Sequence, residues 1–158
     1  MKSLWSMFVN SLQLPKKQAV FTLNRVGMDV VVFYLFIFIA ISSIPSYVHQ
    51  YIDNEKLSIF IFTIFFFIFH YLVVLIVIFT MISIIAGILK FIASLVKRKL
   101  HYSILWKMTA SATTIPFILY TIIAFFYDVE LIFIIVAAVF ILIIVTKTIF
   151  IYPRRRYV

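Results

Sequence analysis

The chain has 158 residues, of which 66% are hydrophobic and only 12% are charged, and its formal net charge is +9. A soluble domain of this length cannot hide so much apolar surface, because small domains leave much of their area in water. The basic residues lie in short clusters between apolar runs, which is typical of a membrane protein, so we expect a lipid bilayer as partner and no nucleic acid. The absence of cysteine excludes disulfides and thiolate metal sites.

The first predicted element is an amphipathic helix over residues 3–14, SLWSMFVNSLQL. Its apolar stripe comprises Leu4, Trp5, Phe8 and Leu12. Pro15 ends the helix, and Lys16 and Lys17 follow at the level of anionic headgroups. We therefore expect residues 1–27 to form an interfacial helix and a basic turn. This segment either anchors the first span or acts as a lipid sensor or docking arm.

Four apolar runs are long enough to cross about 30 Å of hydrocarbon as helices. They cover about residues 30–48, 57–80, 104–126 and 131–152. The second run continues uncharged to Leu89, so it is either a strongly tilted helix or a span that ends near Thr80 and is followed by a surface segment. Ser83 and Gly87 favour the bend, which makes residues 81–103 a basic cytoplasmic connection. The sequence thus predicts one all-α, polytopic membrane domain with four transmembrane helices.

The positions of lysine and arginine predict the orientation of these spans. If four spans cross the membrane, every basic residue except Lys56 falls on one side, which is the cytoplasmic side. Both termini are then cytoplasmic, and Lys107, slightly inside the third span, extends to the same face. Two clusters there either bind phospholipid headgroups or an acidic partner, or serve only as topology determinants. They are Lys97, Arg98 and Lys99, and Arg154, Arg155 and Arg156.

An acidic face is expected on the opposite side of the membrane. It comprises Asp53, Glu55, Asp128 and Glu130. Together with His49 these carboxylates could hold a divalent cation or meet a cationic partner, but their spacing matches no metal motif. Ordinary solvated loop charge is the simpler interpretation, and no metal or cofactor is expected.

Three stretches resemble a MalA-like, maltodextrin-utilisation-type family of bacterial membrane proteins, which is related to Yip-type membrane proteins. The stretches are SLQLPKKQAVFTLNRVG, SSIPSY and YSILWKMTASATTIPFILYTII, at residues 11–27, 42–47 and 102–123. The resemblance implies a multi-pass protein of the bacterial plasma membrane and supplies no catalytic residue. Members of that family carry a sizeable extracytoplasmic region between the first two spans, whereas this chain has about eight residues there, His49 to Lys56.

A single histidine, His70, lies inside the apolar stretch TIFFFIFHYLVVLIVIF. Its depth in the second span matches that of Thr113, Thr114 and Pro116 in the third. Pro116 has no N–H, so the carbonyl of Ala112 loses its helical donor and needs another partner in hydrocarbon. We expect neutral His70 to donate to that carbonyl or to a threonine hydroxyl and to set the register of the two helices. The alternative is a proton relay or a permeation path.

No motif for catalysis is visible, since a glycine-rich phosphate loop, HExxH and paired acids within a span are all missing, so we expect no enzyme. The leading hypothesis is a non-enzymatic accessory or regulatory subunit that docks on another membrane protein or on a second copy of itself. A small oligomeric carrier or channel is the second hypothesis. The third is an immunity-type envelope protein that uses the outer acids against cationic peptides.

Overall fold

The computed structural model describes residues 2–53, 58–98, 100–127, 129 and 131–153. The elements in chain order are α1 (Lys2–Leu12), α2 (Lys17–Arg25), α3 (Met28–Ser42), α4 (Ile44–Asp53), α5 (Ile59–Phe66), a π-helical turn (Phe67–Tyr71), α6 (Leu72–Leu95), α7 (Tyr102–Ala112), α8 (Thr114–Ala124) and α9 (Leu131–Ile151). Every one of these elements is helical, which confirms the all-α prediction.

Among the described residues, three helical runs are long and apolar enough to cross a membrane. They are Met28–Ile52, Ile59–Leu95 and Leu131–Ile151. These runs indicate a membrane protein and correspond to the first, second and fourth predicted spans. The predicted third span is divided into α7 and α8, of 11 residues each, and neither is long enough to cross alone.

Thr113 separates α7 from α8, and Pro116, three residues later, is the cause of the separation. Pro116 has no N–H for the carbonyl of Ala112, so the helical hydrogen-bond ladder is interrupted at this point. The hydroxyl of Thr113 donates to the carbonyl of Ala110 at 2.7 Å, and that of Thr114 donates to the carbonyl of Ser111 at 2.8 Å. These side-chain bonds to the backbone stabilise the bend where regular bonding stops.

The helix Ile59–Leu95 is continuous over 37 residues, which corresponds to about 55 Å. The bend predicted at Ser83 and Gly87 is absent, because α6 passes through both residues without a break, while the predicted end of the span near Thr80 stays a prediction. The hydroxyl of Ser83 donates to the carbonyl of Phe79 at 2.8 Å and lies 3.1 Å from the indole nitrogen of Trp106. Ser83, where the sequence predicted a bend, thus contributes to the packing of α6 against α7.

Helix α7 lies at the centre of the described bundle. It contacts α1, α2, α3, α6, α8 and α9, and each of its residues from Leu105 to Ala112 is buried. Half of these side chains are small or hydroxylated, namely those of Thr109, Ala110, Ser111 and Ala112, so neighbouring helices can approach closely there. The third predicted span is thereby the element around which the others pack.

The amino-terminal helix α1 packs against α2, α3, α7 and α8 rather than standing apart from them. Its packed face is centred on Met7 and Ser11, which are fully buried, whereas Trp5 and Leu12 of the predicted apolar stripe are exposed. The prediction of a helix is confirmed, but the predicted stripe is divided, because the small Ser11 allows the other face to approach the bundle. Phe8 lies between the two faces and contacts the ring of Phe38.

Candidate functional site

A cavity of about 370 Å³ lies among α3, α4, α6, α8 and α9 and is the candidate functional site. Its walls are mostly aliphatic or aromatic. The polar side chains in the wall are Ser42, Ser43, Ser46, His70, Thr113 and Tyr120. None of the described residues that line it is Asp, Glu, Lys or Arg. This volume, with apolar walls and a few polar groups, is typical of a small-molecule site.

The cavity opens at one side of the bundle, between α6 and α9. Val73 and Val77 of α6 and Ile134 of α9 line the cavity and are each about half exposed. Further along the same two helices, Ile82 and Ile141 line it and are buried. The two helices therefore enclose the cavity at one end and leave it accessible from the side at the other.

His70 belongs to the π-helical turn, and its ring faces this cavity. Its Nδ1 lies 3.4 Å from Nε2 of Gln50, which is the long end of the range for a hydrogen bond. The ring also stacks on Phe66, with centroids 4.5 Å apart. π-helical turns inside α-helices occur often at functional sites, and this one positions the histidine. Nothing in the sequence indicated the turn.

The predicted hydrogen bond from His70 to Ala112, Thr113 or Thr114 is wrong for the described residues. The hydroxyls of Thr113 and Thr114 donate to carbonyls of α7, and the hydrogen-bond partner of His70 is Gln50 of α4. His70, Thr113 and Pro116 nevertheless all line the cavity. Two helices can share a level without presenting the chosen side chains to each other.

A hydrogen bond between two buried hydroxyls joins α3 to α8. The hydroxyl of Tyr34 lies 2.8 Å from Oγ1 of Thr114, and both residues are buried. The hydroxyls of Ser11 and Ser111 are buried and have no hydrogen-bond partner among the described residues. Tyr34 was not predicted, although a tyrosine inside the apolar run VVVFYLFIFIA is a signal of a polar contact between helices.

Lys107 does not extend to a surface as predicted. Its Nζ donates to the carbonyls of Asn24 at 2.6 Å and Val26 at 2.9 Å, and only 9% of the residue is exposed. These carbonyls lie at the carboxyl end of α2, where helical carbonyls have no donors of their own and where a cation is favourable. Lys107 therefore joins α2 to α7.

The predicted surface charges are only partly described. Lys16, Lys17 and Lys97 are exposed, while Arg98 is half-buried, with its guanidinium carbon 6.0 Å from the ring centroid of Phe150. Lys99, Arg154, Arg155, Arg156, Glu55, Asp128, Glu130 and the side chain of Asp53 lie outside the described residues. Binding of headgroups by the basic clusters and the immunity-type hypothesis therefore stay predictions. Within the described ranges no cluster of His, Asp and Glu could hold a metal ion.

The comparisons with known proteins identify one family. Residues 46–151 match the family described as protein of unknown function (DUF1189). No curated protein and no solved structure matches the chain. The matched region begins in α4 and ends with α9, so it includes most of the cavity walls. The match carries no MalA-like or Yip-type name, and that relation stays a prediction. Since the match covers the greater part of the sequence, the chain belongs to the DUF1189 family.

Proposed function

We propose that the protein is a non-enzymatic accessory or regulatory subunit that docks on another membrane protein through the phenylalanine arm, residues 59–69. The exposure of this arm carries the proposal. Within the described chain α5 packs mainly against α4 and the π-helical turn, and Phe60 and Phe69 are 71% and 67% exposed. Phe65 and Phe69 stack with centroids 5.4 Å apart. Aromatic side chains in contiguous rigid groups are common at the centres of protein interfaces.

The length of the helix supports the same proposal. A helix of about 55 Å is longer than the roughly 30 Å of hydrocarbon in a bilayer, so it must tilt or project from the membrane. The phenylalanine arm is the least covered part of this helix, and its sequence IFIFTIFFFIF contains no charge. A transmembrane helix of a partner can cover such a surface through van der Waals packing.

The proposed topology has four membrane passes, of which α7 and α8 together form the third. Both termini are cytoplasmic and the membrane is the bacterial plasma membrane. The support is the charge pattern, in which short loops rich in lysine and arginine mark the cytoplasmic side. The exposed side chains of Lys16, Lys17 and Lys97 are consistent with contact to anionic headgroups on that side.

Purification in mild detergent from the native host tests the docking proposal. We expect the wild-type protein to recover a stoichiometric companion, because a partner helix covers the arm. The arm variant carries Phe60→Ala, Phe65→Ala and Phe69→Ala. It is expected to lose the companion while its helical circular dichroism stays unchanged.

A matched variant removes three exposed phenylalanines elsewhere. It carries Phe33→Ala, Phe91→Ala and Phe126→Ala, and it is expected to keep the companion. Recovery of no companion by the wild-type protein contradicts the proposal. So does equal loss in both variants, because the arm would then contribute nothing specific.

A small carrier, acting alone or as an oligomer, is the second candidate, and the shared cavity wall favours it. His70 and Thr113, which the sequence placed along a path, both line the cavity. The uncharged walls restrict any transported group to an apolar one. In proteoliposomes, flux of a small uncharged apolar solute should disappear in His70→Ala and persist in His49→Ala, an exposed residue outside the cavity. Flux that is absent from the wild-type protein removes this candidate.

A further inference from the structure

The walls of the cavity restrict the chemistry of what it can contain. Val74 and Ile78 of α6, Ile39 of α3 and Ala138 and Ile141 of α9 present hydrocarbon to it. None of the described lining residues carries an acidic or basic side chain other than the imidazole of His70. An ionised group inside would have no counter-charge and would be strongly disfavoured. The occupant is therefore a hydrocarbon segment.

The cavity is long and narrow. Its lining residues on the π-helical turn and α6 extend from His70 to Ile85, which corresponds to roughly 20 Å along the helix axis. A volume of about 370 Å³ over that length leaves a narrow channel. A single flexible hydrocarbon chain needs less width than an α-helix, which is about 10 Å across with its side chains.

The opening of the cavity faces the lipid that surrounds a membrane protein. Val73, Val77 and Ile134 are half-exposed lining residues between α6 and α9, on the apolar outer surface of the bundle. In a bilayer this surface contacts acyl chains, so the occupant can enter from the side without crossing water. The structure therefore joins an apolar channel to a source of hydrocarbon chains.

One end of the cavity carries three of its six polar side chains. Ser46 of α4, His70 of the π-helical turn and Tyr120 of α8 line this end. The hydroxyls of Ser46 and Tyr120 form no hydrogen bond with another described side chain or backbone group. Such hydroxyls can donate to an ester carbonyl oxygen. A free fatty acid fits less well, because none of the described residues that line this end is a lysine or an arginine that could meet its carboxylate.

We propose that the cavity binds one acyl chain of a phospholipid, with the ester group at Ser46, His70 and Tyr120 and the headgroup outside. The chain enters between α6 and α9 and extends toward Thr113. This inference goes beyond the proposed docking function and does not rest on it, because the phenylalanine arm and the cavity opening are different surfaces.

Native mass spectrometry of the full chain, with palmitoyl-oleoyl phosphatidylglycerol as the probe, tests the proposal. We expect the wild-type protein to retain one lipid molecule after the detergent is removed. Ala138→Phe fills the channel and is expected to weaken retention by about tenfold or more. Ala40→Phe adds the same side chain to an exposed position of α3 outside the cavity and should leave retention unchanged. Excess palmitic acid should not displace the lipid.

Photolabelling of the wild-type protein makes the test independent of whether Ala138→Phe folds. A phosphatidylglycerol with a diazirine near the end of one chain is expected to label Ile82, Thr113 and Ile141 at the inner end of the cavity. If exposed residues such as Ile135 and Ile143 are labelled as strongly as these three, the proposal is overturned. Equal lipid retention by the Ala138→Phe and Ala40→Phe variants also overturns it. The same holds if palmitic acid displaces the lipid, or if a second copy of the chain binds in place of the lipid.

Discussion

Replacing Lys107 by methionine is expected to lower the free energy of unfolding by about 2–4 kcal/mol. The variant keeps most of the length and volume of the side chain but removes the ammonium that donates to the carbonyls of Asn24 and Val26. Both carbonyls belong to the carboxyl end of α2, where no helical N–H can replace the lost donor. Denaturant titration in detergent micelles, followed by circular dichroism, measures the change.

A competing effect acts in the opposite direction, because methionine also removes the cost of burying a charge. The lost bonds should dominate, since Nζ has two short contacts to the negative end of a helix. Lys147→Met, at an exposed position of α9, is the control and should change stability little. Trypsin should also cleave after Arg25 faster in the Lys107 variant, because the end of α2 loses its hydrogen bonds to α7. Equal stability of the two lysine variants would contradict the role of Lys107.

Replacing Ala86 by leucine is expected to cost about 1–3 kcal/mol or more by separating α6 from α7. Ala86 is completely buried and lies one turn from Ser83, whose hydroxyl accepts from Trp106 of α7. The larger side chain must displace α7 or adopt a strained rotamer, because small residues set the distance between these helices. Thermal unfolding in detergent gives the stability, and tryptophan fluorescence reports whether the surroundings of Trp106 change.

Ala40→Leu provides the matched control for this substitution. Ala40 is exposed on α3, so the same added atoms meet no neighbouring helix and should leave the unfolding temperature almost unchanged. If Ala86→Leu behaved like Ala40→Leu, the close approach of α6 and α7 would not contribute to stability.

The all-α fold could be predicted because the apolar runs are a local property of the sequence. A backbone in hydrocarbon must satisfy its own hydrogen bonds, so each such run is helical whatever it packs against. The break at Thr113 could also be predicted, since Pro116 leaves the carbonyl of Ala112 without its helical donor. The continuation of α6 through Ser83 and Gly87 could not be predicted, because Trp106 of another helix determines it.

The partner of His70 illustrates the limit of depth arguments. Counting residues along a span gives a level in the membrane but not the direction in which a side chain points. The π-helical turn at Phe67–Tyr71 changes that direction, and no periodicity in the sequence revealed it. Lys107 was missed for a related reason. A lysine near the end of an apolar run is expected to reach water, and only the structure brings the end of α2 to it.

The contacts between the amino-terminal helices and α7 have a consequence for how the protein is made. The bonds from Lys107 to Asn24 and from Tyr34 to Thr114 join residues 83 and 80 positions apart. At about 5–20 residues per second, the ribosome needs on the order of 4–16 s to supply these late partners. During that interval the early helices must remain in the translocation machinery or in lipid without their final neighbours, which makes the amino-terminal region a natural client for insertion factors.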